Sequence, residues 1–241
     1  MTALLEAKGL QAWYGAAQVL FGVDLEVRRG EVVALMGRNG AGKSTTLKAV
    51  MGLITRKTGQ VSFMGQDVSK RDPHRIARLG LGYVPEDRRV FSDLTVMENL
   101  EVGRQAPRHW PDGSEAPTWQ PETLFKLFPN LGEMPQRPGG RMSGGEQQML
   151  TVARTLMGNP FVVLLDEPSE GVAPVIVEQM AQMIVALKAQ GVSILLSEQN
   201  MHFAELVSDR AYVLEKGQIR WQGTMAALAA DDDTRRAYLS L

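Results

Sequence analysis

A glycine-rich segment at residues 37–45 carries the residue types that bind a nucleotide polyphosphate. It follows the apolar run 32–36 and reads Gly37-Arg38-Asn39-Gly40-Ala41-Gly42-Lys43-Ser44-Thr45. An apolar strand, a glycine-rich loop and a helix start, in this order, are the context of a phosphate-binding P-loop. Backbone N–H groups of such a loop surround the phosphates, Lys43 reaches the β- and γ-phosphates, and the Ser44 hydroxyl ligates Mg²⁺. The segment therefore predicts a site for a nucleotide polyphosphate with Mg²⁺.

Two adjacent acids, Asp166 and Glu167, come directly after the apolar run 161–165. Functional groups of parallel sheets lie at the carboxyl ends of strands, so this pair is expected beside the P-loop. Asp166 is predicted to hold the metal or its water, and Glu167 to act as the general base toward an attacking water. Because the same chain has a P-loop, we interpret the pair as part of a site that hydrolyses a phosphoanhydride and not as two acids at the surface.

Two further segments could contact a nucleotide. Tyr14 lies upstream of the P-loop and offers a flat surface for adenine, with packing in a small core as an equal alternative. The segment Ser143-Gly144-Gly145-Glu146 is a capping box that begins a helix. Backbone N–H groups at such a helix start form an anion site.

Bulk composition excludes several classes of protein. The 241 residues carry a net charge of −1 and contain no cysteine, which gives no sign of a nucleic-acid partner or a disulfide scaffold. No apolar run approaches the roughly 20 residues that span a bilayer. Residues 1–6 lack the basic-then-apolar layout of a signal peptide. We therefore expect no direct bilayer insertion and a cytosolic chain that meets a membrane only through a partner.

Short apolar strands alternate with helices along the chain, which predicts an α/β fold with a largely parallel core sheet. Residues 4–10 are predicted as a short edge strand, and Thr95 and Ser143 as caps of two helices. We expect a single domain over 1–241, with a core of 1–85 and 156–241 and an inserted helical subdomain at about 86–155. Within it, residues 105–120 are rich in Pro, Gly, Trp and charge, and we expect them to be irregular and exposed.

The chain resembles the ATP-binding subunits of ABC transporters over essentially its whole length. The resemblance rests on the P-loop, on Asp166-Glu167-Pro168, and on a stretch that looks like the signature sequence of the family, Met142-Ser143-Gly144-Gly145-Glu146-Gln147-Gln148. It implies a P-loop NTPase fold of the ABC type with an antiparallel β edge, and ATP and Mg²⁺ as ligands. It also implies that two such domains pair head to tail, with ATP between the P-loop of one and the signature segment of the other. Membrane permease subunits, and indirectly a solute-binding protein, are the further implied partners at the inner face of the membrane.

Finer features are similar to the LivF type of branched-chain amino acid importers, with urea or amide importers as the next alternative. These features are the segments 83–91, 167–174 and 197–200. A nucleotide-dependent module that binds ATP without hydrolysing it stays open as an alternative. An ABC protein of DNA repair or translation is disfavoured, because the chain has one cassette and no basic patch.

Three positions depart from the wider ABC pattern, and each departure is shared with the LivF type. Glu86 replaces the usual glutamine and is expected to ligate Mg²⁺ through a carboxylate oxygen. Ala173 replaces an aspartate, and Gln199 replaces a histidine that would assist catalysis. These departures predict a heterodimer in which a more conventional ATPase subunit supplies the missing groups.

Overall fold

The computed structural model describes residues 3–239, so Met1, Thr2, Ser240 and Leu241 lie outside the described residues, together with the predictions made for them. Ten strands occur in this described part, namely β1 (Ala3–Tyr14), β2 (Ala17–Arg28), β3 (Val32–Met36), β4 (Arg56–Phe63), β5 (Gln66–Asp67), β6 (Leu81–Val84), β7 (Val162–Asp166), β8 (Ser193–Glu198), β9 (Arg210–Glu215) and β10 (Gln218–Thr224). They form an antiparallel sheet in the order β2-β1-β4-β5 and a second sheet in the order β10-β9-β3-β8-β7-β6.

The second sheet is parallel from β9 to β6, and only β10 runs antiparallel to its neighbour. Strands β3, β7 and β8 are fully buried and consist mainly of Val, Leu and Ile, as expected of strands covered on both faces. Their register brings the carboxyl ends of the three strands to one edge, with Met36 opposite Glu198 and Asp166 opposite Ser197. The predicted α/β fold with a parallel core sheet and an antiparallel β edge is confirmed.

Ten α-helices connect and cover the strands within residues 3–239, namely α1 (Lys43–Val50), α2 (Pro73–Leu79), α3 (Val96–Gly103), α4 (Pro121–Leu127), α5 (Pro129–Gly132), α6 (Gly144–Leu156), α7 (Pro174–Ala189), α8 (Met201–Val207), α9 (Met225–Ala230) and α10 (Asp232–Tyr238). Helices α3 to α6 follow one another between β6 and β7. Thr95 and Ser143 each form both hydrogen bonds of a capping box, at the start of α3 and α6. The division into a core and a helical subdomain stays a prediction.

One expectation about local structure is wrong, and a second holds only in part. The first strand is neither short nor at an edge: β1 spans twelve residues and lies between β2 and β4. The segment 105–120 contains little regular structure but is not exposed as a whole, since Trp110, Ala116 and Trp119 are at most 5% exposed. These apolar side chains bury against the core, which offsets the entropy of ordering an irregular backbone.

Candidate nucleotide site

The P-loop connects the buried strand β3 to helix α1 at the carboxyl edge of the parallel sheet. Gly37 N donates to the Glu198 carbonyl oxygen at 3.3 Å, which continues the pairing of β3 with β8. A Cβ on Gly37 would lie only 2.4 Å from the Leu214 carbonyl oxygen, so a larger residue would displace the loop. Gly42 precedes α1 with φ of 109°, a backbone conformation that L side chains rarely adopt. The glycines at 37 and 42 are therefore required by close packing and by backbone conformation.

Lys43 links this loop to the acids at the end of β7. Its side chain is only 3% exposed, and Nζ donates to the carbonyl oxygens of Gly37 at 2.7 Å and Arg38 at 3.0 Å. The same Nζ lies 3.1 Å from Glu167 Oε1. A buried ammonium needs such partners because an unpaired charge in the interior is costly. Lys43 thus bridges the P-loop and Glu167.

Asp166 is the centre of a hydrogen-bonded group that includes two residues absent from the sequence predictions. Its Oδ1 accepts from Ser44 Oγ at 2.8 Å and from Ser197 Oγ at 2.7 Å, and its Oδ2 accepts from Tyr83 OH at 3.1 Å. Burial, together with the Asp166 carboxylate, raises the pKa of Tyr83, so the phenol stays protonated and donates. Tyr83 and Ser197 lie on β6 and β8, the neighbours of β7, and parallel register is the signal that could have identified them.

Glu167 follows β7 in a left-handed backbone conformation, with φ of 47°. Its N–H donates to both the carbonyl oxygen and the hydroxyl of Ser197, at 3.1 and 3.0 Å. Burial, together with the neighbouring Glu170 side chain, raises the pKa of Glu167 to about 7, against the opposing effect of Lys43. Its buried Oε2 accepts no hydrogen bond from any residue in the range 3–239. A carboxylate with a pKa near neutrality and a free acceptor atom suits a general base.

Glu198 is a third buried carboxylate, after Asp166 and Glu167, and sequence reasoning missed it. It ends β8 and accepts from the backbone N–H groups of Ser169, at 3.2 Å, and of Gln199 and Asn200, each at 3.0 Å. Burial raises the pKa of Glu198, although these hydrogen bonds oppose the effect. Glu198 therefore fixes the loop after Glu167 to the end of β8.

The Gln199 side chain is half-buried next to Glu198 and forms no hydrogen bond within the described part of the chain.

The other predicted site residues lie apart from this cluster. Glu86 is exposed beyond β6, and its side chain forms neither a hydrogen bond nor an ion pair within residues 3–239; Tyr83 is the residue of this region that contacts Asp166. Tyr14 is 50% exposed at the end of β1, where it pairs with Ala17 of β2. The predicted roles of Glu86 in binding Mg²⁺ and of Tyr14 in stacking on adenine are thus supported by no contact with the Asp166 cluster in the described structure.

The signature segment, residues 143–146, stands at the start of α6. Ser143 Oγ accepts from Glu146 N at 3.3 Å, and Ser143 N donates to Glu146 Oε2 at 2.7 Å. No hydrogen bond or ion pair in the described structure joins this segment to the P-loop of the same chain. The backbone N–H groups of Gly144 and Gly145 begin a thirteen-residue helix, where no preceding turn supplies an intrahelical acceptor, and N–H groups at a helix start are suited to bind an anion.

Ser44 and Asp166 offer the hard oxygen donors that Mg²⁺ prefers. Residues 3–239 contain no cluster of three His, Cys, Asp or Glu side chains able to hold a metal ion. A metal at this pair must therefore take its other ligands from phosphate oxygens and water, which is the usual coordination of Mg²⁺ bound with a nucleotide. The donor set fits Mg²⁺ in company with a polyphosphate.

Comparison with known proteins agrees with this geometry. A family described as ABC transporter matches residues 20–170. The high-affinity branched-chain amino acid transport ATP-binding protein BraG of Pseudomonas aeruginosa is 42% identical over 236 residues, which cover 98% of this chain and 99% of BraG. The probable branched-chain amino acid transport ATP-binding protein LivF of Archaeoglobus fulgidus is 36% identical over 222 residues, 92% of each chain. The predicted resemblance is confirmed by these matches.

A solved structure is similar over almost its whole length. It is the ADP conformation of an ATP-binding cassette of an ABC transporter, with a TM-score of 0.80 and 27% identity over 98% of both chains. In the part of this chain that the structure describes, no helix is long and apolar enough to cross a membrane.

Proposed function

The chain belongs to the ABC transporter family of ATP-binding subunits, and we propose that it powers import of branched-chain amino acids through a membrane permease. It is an ATPase, as the family is. The observation that carries the assignment of the site is the contact between Lys43 of the P-loop and Glu167 beside Asp166. The similarity to BraG and LivF supports the choice of solute.

In this proposal Lys43 and the P-loop N–H groups bind the β- and γ-phosphates of ATP. Lys43 Nζ is placed for this by its hydrogen bonds to the carbonyl oxygens of Gly37 and Arg38, within the loop that would surround the phosphates. Mg²⁺, held by Ser44 and through Asp166, would neutralise phosphate charge when it is bound. Glu167 accepts the proton of the attacking water through an oxygen such as Oε2, which has no other hydrogen bond in the described structure.

A second ATPase subunit completes the site in this proposal. Gly144 and Gly145 begin α6 without contacting their own P-loop, so their N–H groups are available to the γ-phosphate held by an opposing subunit. ATP then lies between two subunits and holds them together, and its hydrolysis separates them. This arrangement turns a chemical step into a change of distance between subunits.

The permease subunits would dock on a groove between the sheet and the helical segment. This groove encloses about 560 Å³ and contains three apolar side chains that are each about half exposed, namely Leu53, Phe91 and Val102. Exposed apolar side chains gathered in one concave surface indicate an interaction site. Docking there would keep the chain at the cytoplasmic face of the membrane.

Substitution of Glu167 by Gln tests the assigned chemistry. Because the amide cannot accept a proton, we expect ATP turnover of the assembled transporter to fall by about 10² or more, with ATP affinity changed by less than about threefold. The matched control is Glu178→Gln on the exposed side of α7, which should keep the normal rate. Undiminished hydrolysis by Glu167→Gln would remove Glu167 from the role of base.

Uptake of labelled leucine by the transporter in proteoliposomes tests the solute. ATP-dependent uptake of leucine, isoleucine and valine is the expected result. Uptake of urea or a short amide instead would leave the ATPase assignment intact and replace the solute. Tight ATP binding with no turnover in any assembly would favour the module that does not hydrolyse ATP.

A further inference from the structure

Arg88 lies against the signature segment although it follows β6 in the chain. A Cβ on Gly144 would lie 2.4 Å from Arg88 Nη1, so the guanidinium occupies the space beside the first residue of α6. Arg88 Nη2 donates to the Gly171 carbonyl oxygen at 3.4 Å. The guanidinium therefore stands between the signature segment and the loop that follows Glu167.

Helix α6 itself fixes the backbone that presents this side chain. Arg88 has φ of 61°, in the left-handed region, and its carbonyl oxygen accepts from Thr151 Oγ1. The next carbonyl oxygen, of Arg89, accepts from Arg154 Nη2 at 2.7 Å. A non-glycine residue keeps such a backbone conformation only where its surroundings hold it. The turn at Arg88 is thus anchored to two residues of the signature helix.

The charge of Arg88 has no acidic partner within residues 3–239, whereas the neighbouring Arg89 pairs with Asp87 at 2.7 Å. Arg88 also stands at the N-terminal end of α6, which carries the partial positive charge of the helix dipole. Two positive charges placed together repel unless an anion lies between them. A guanidinium that lies at a helix N-terminus and has no acidic partner in the described residues is therefore an arrangement that attracts an anion such as a phosphate.

We propose that Arg88 supplies an additional positive charge to the γ-phosphate that the signature segment receives from the opposing subunit. This inference rests on the proposed function, because that phosphate is delivered only when two ATPase subunits pair around ATP. The guanidinium presents several donors in a plane, which matches phosphate oxygens, and it offsets negative charge in the transition state. Arg88 would thus act on the nucleotide bound to the other subunit's P-loop.

The test compares Arg88→Gln, which removes the charge, with Arg88→Lys, which keeps it. Arg89→Gln is the matched control, because the side chain of Arg89 is 72% exposed and paired with Asp87. We expect the ATPase rate of the assembled transporter to fall by about tenfold or more in Arg88→Gln and by less than about threefold in Arg88→Lys. The Arg89→Gln rate should match the wild type. A fluorescent ATP analogue should bind the P-loop of the isolated chain equally well in all three variants.

Three results would overturn the proposal: a wild-type rate in Arg88→Gln, an equal loss in Arg88→Lys, or an equal loss in Arg89→Gln. A second measurement uses the Glu167→Gln background, where ATP-driven pairing of the two ATPase subunits is followed by sedimentation. Arg88→Gln should weaken that pairing by about tenfold and Arg88→Lys should not. This measurement decides the role of Arg88 even if the wild-type assembly hydrolyses no ATP. An assembly that hydrolyses ATP without taking up amino acids contradicts the proposed solute alone.

Discussion

At the scale of single residues, the site depends on side chains that hold Asp166 in place. Ser44, Ser197 and Tyr83 each donate to its carboxylate, and they come from the P-loop, from β8 and from β6. Asp166 is therefore oriented by side chains from the P-loop and from both strands that flank β7. Such support lowers the free energy needed to organise the site when a metal binds.

Tyr83→Phe tests this support. Loss of the Tyr83 hydroxyl removes the only donor to Asp166 Oδ2 among residues 3–239. We therefore expect the Mg²⁺ concentration for half-maximal ATPase activity to rise by about fivefold or more. The free energy of unfolding should fall by about 1 kcal/mol, the usual worth of one hydrogen bond. Tyr212→Phe is the control, since its hydroxyl accepts from Glu26 N far along the chain from the acids. An unchanged Mg²⁺ dependence in Tyr83→Phe would contradict a positioning role.

At the scale of elements, the segment 105–120 is a brace between the helical part and the sheet. Trp110 lies against Phe161 with 4.7 Å between ring centroids and the ring planes tilted by 46°, and the Arg29 guanidinium lies 3.9 Å from the centroid of the Trp110 ring. Asn159 donates to the carbonyl oxygens of Gln105 and Ala106 and accepts from Trp119 N at 2.8 Å. The brace thus joins the start of β7 to both ends of an irregular loop.

Trp110→Ala should lower the free energy of unfolding by about 3–5 kcal/mol, because a buried aromatic side chain and its contact with Arg29 are lost. Urea unfolding measures this change. The neighbouring His109→Ala, at an exposed position, should stay within about 0.5 kcal/mol of the wild type. A loss of less than about 1 kcal/mol in Trp110→Ala would show that the segment is not anchored through this residue.

The contrast between the P-loop and this brace shows what local sequence can predict. Motifs and strand order predict the type of fold, the P-loop at residues 37–45 and the acids at 166–167. The structure places Lys43 of this loop beside Glu167. The brace depends on partners far along the chain, such as Arg29 and Phe161, and no local periodicity indicates them. Pro, Gly and charge predicted exposure there, which holds for most of the segment, and tertiary packing overrides that prediction at Trp110, Ala116 and Trp119.

The place of Glu198 in the site and the position of Arg88 beside the signature segment were missed for a similar reason. A carboxylate at the end of a strand cannot be recognised from sequence as part of a site, because its partners are not known. For Glu198 one such partner is the backbone N–H of Ser169. The orientation of Arg88 depends on a left-handed turn and on Thr151 of α6, neither of which a sequence motif reveals. Sequence motifs therefore do not identify residues whose position depends on tertiary contacts.

At the scale of the whole molecule, the surface beside the signature segment supports the proposed pairing with a second subunit. Ala173 is exposed at the N-cap of α7 and gives that helix no side-chain hydrogen bond, and Val175 next to it is 57% exposed. Ile176 of the same helix packs against Gly145, since a Cβ on that glycine would lie 2.7 Å from it. Exposed apolar residues adjoining an anion site are suited to burial when a partner closes over ATP.

We predict that this partner is a different ATPase subunit rather than a second copy. Glu86, Ala173 and Gln199 each stand where a conventional subunit has a group that assists hydrolysis, so two copies of this chain would lack those groups at both sites. We expect the chain alone with Mg-ATP to turn over at least about tenfold more slowly than the assembled transporter.

Sedimentation of the Glu167→Gln variant with Mg-ATP provides the direct measurement. The chain alone should remain a monomer, and addition of the partner ATPase subunit should give a complex with one copy of each. Glu178→Gln, which keeps Glu167, should form that complex only transiently because it hydrolyses the ATP that joins the subunits. A stable complex of two copies of this chain, combined with full turnover in the absence of any partner, would contradict the heterodimer.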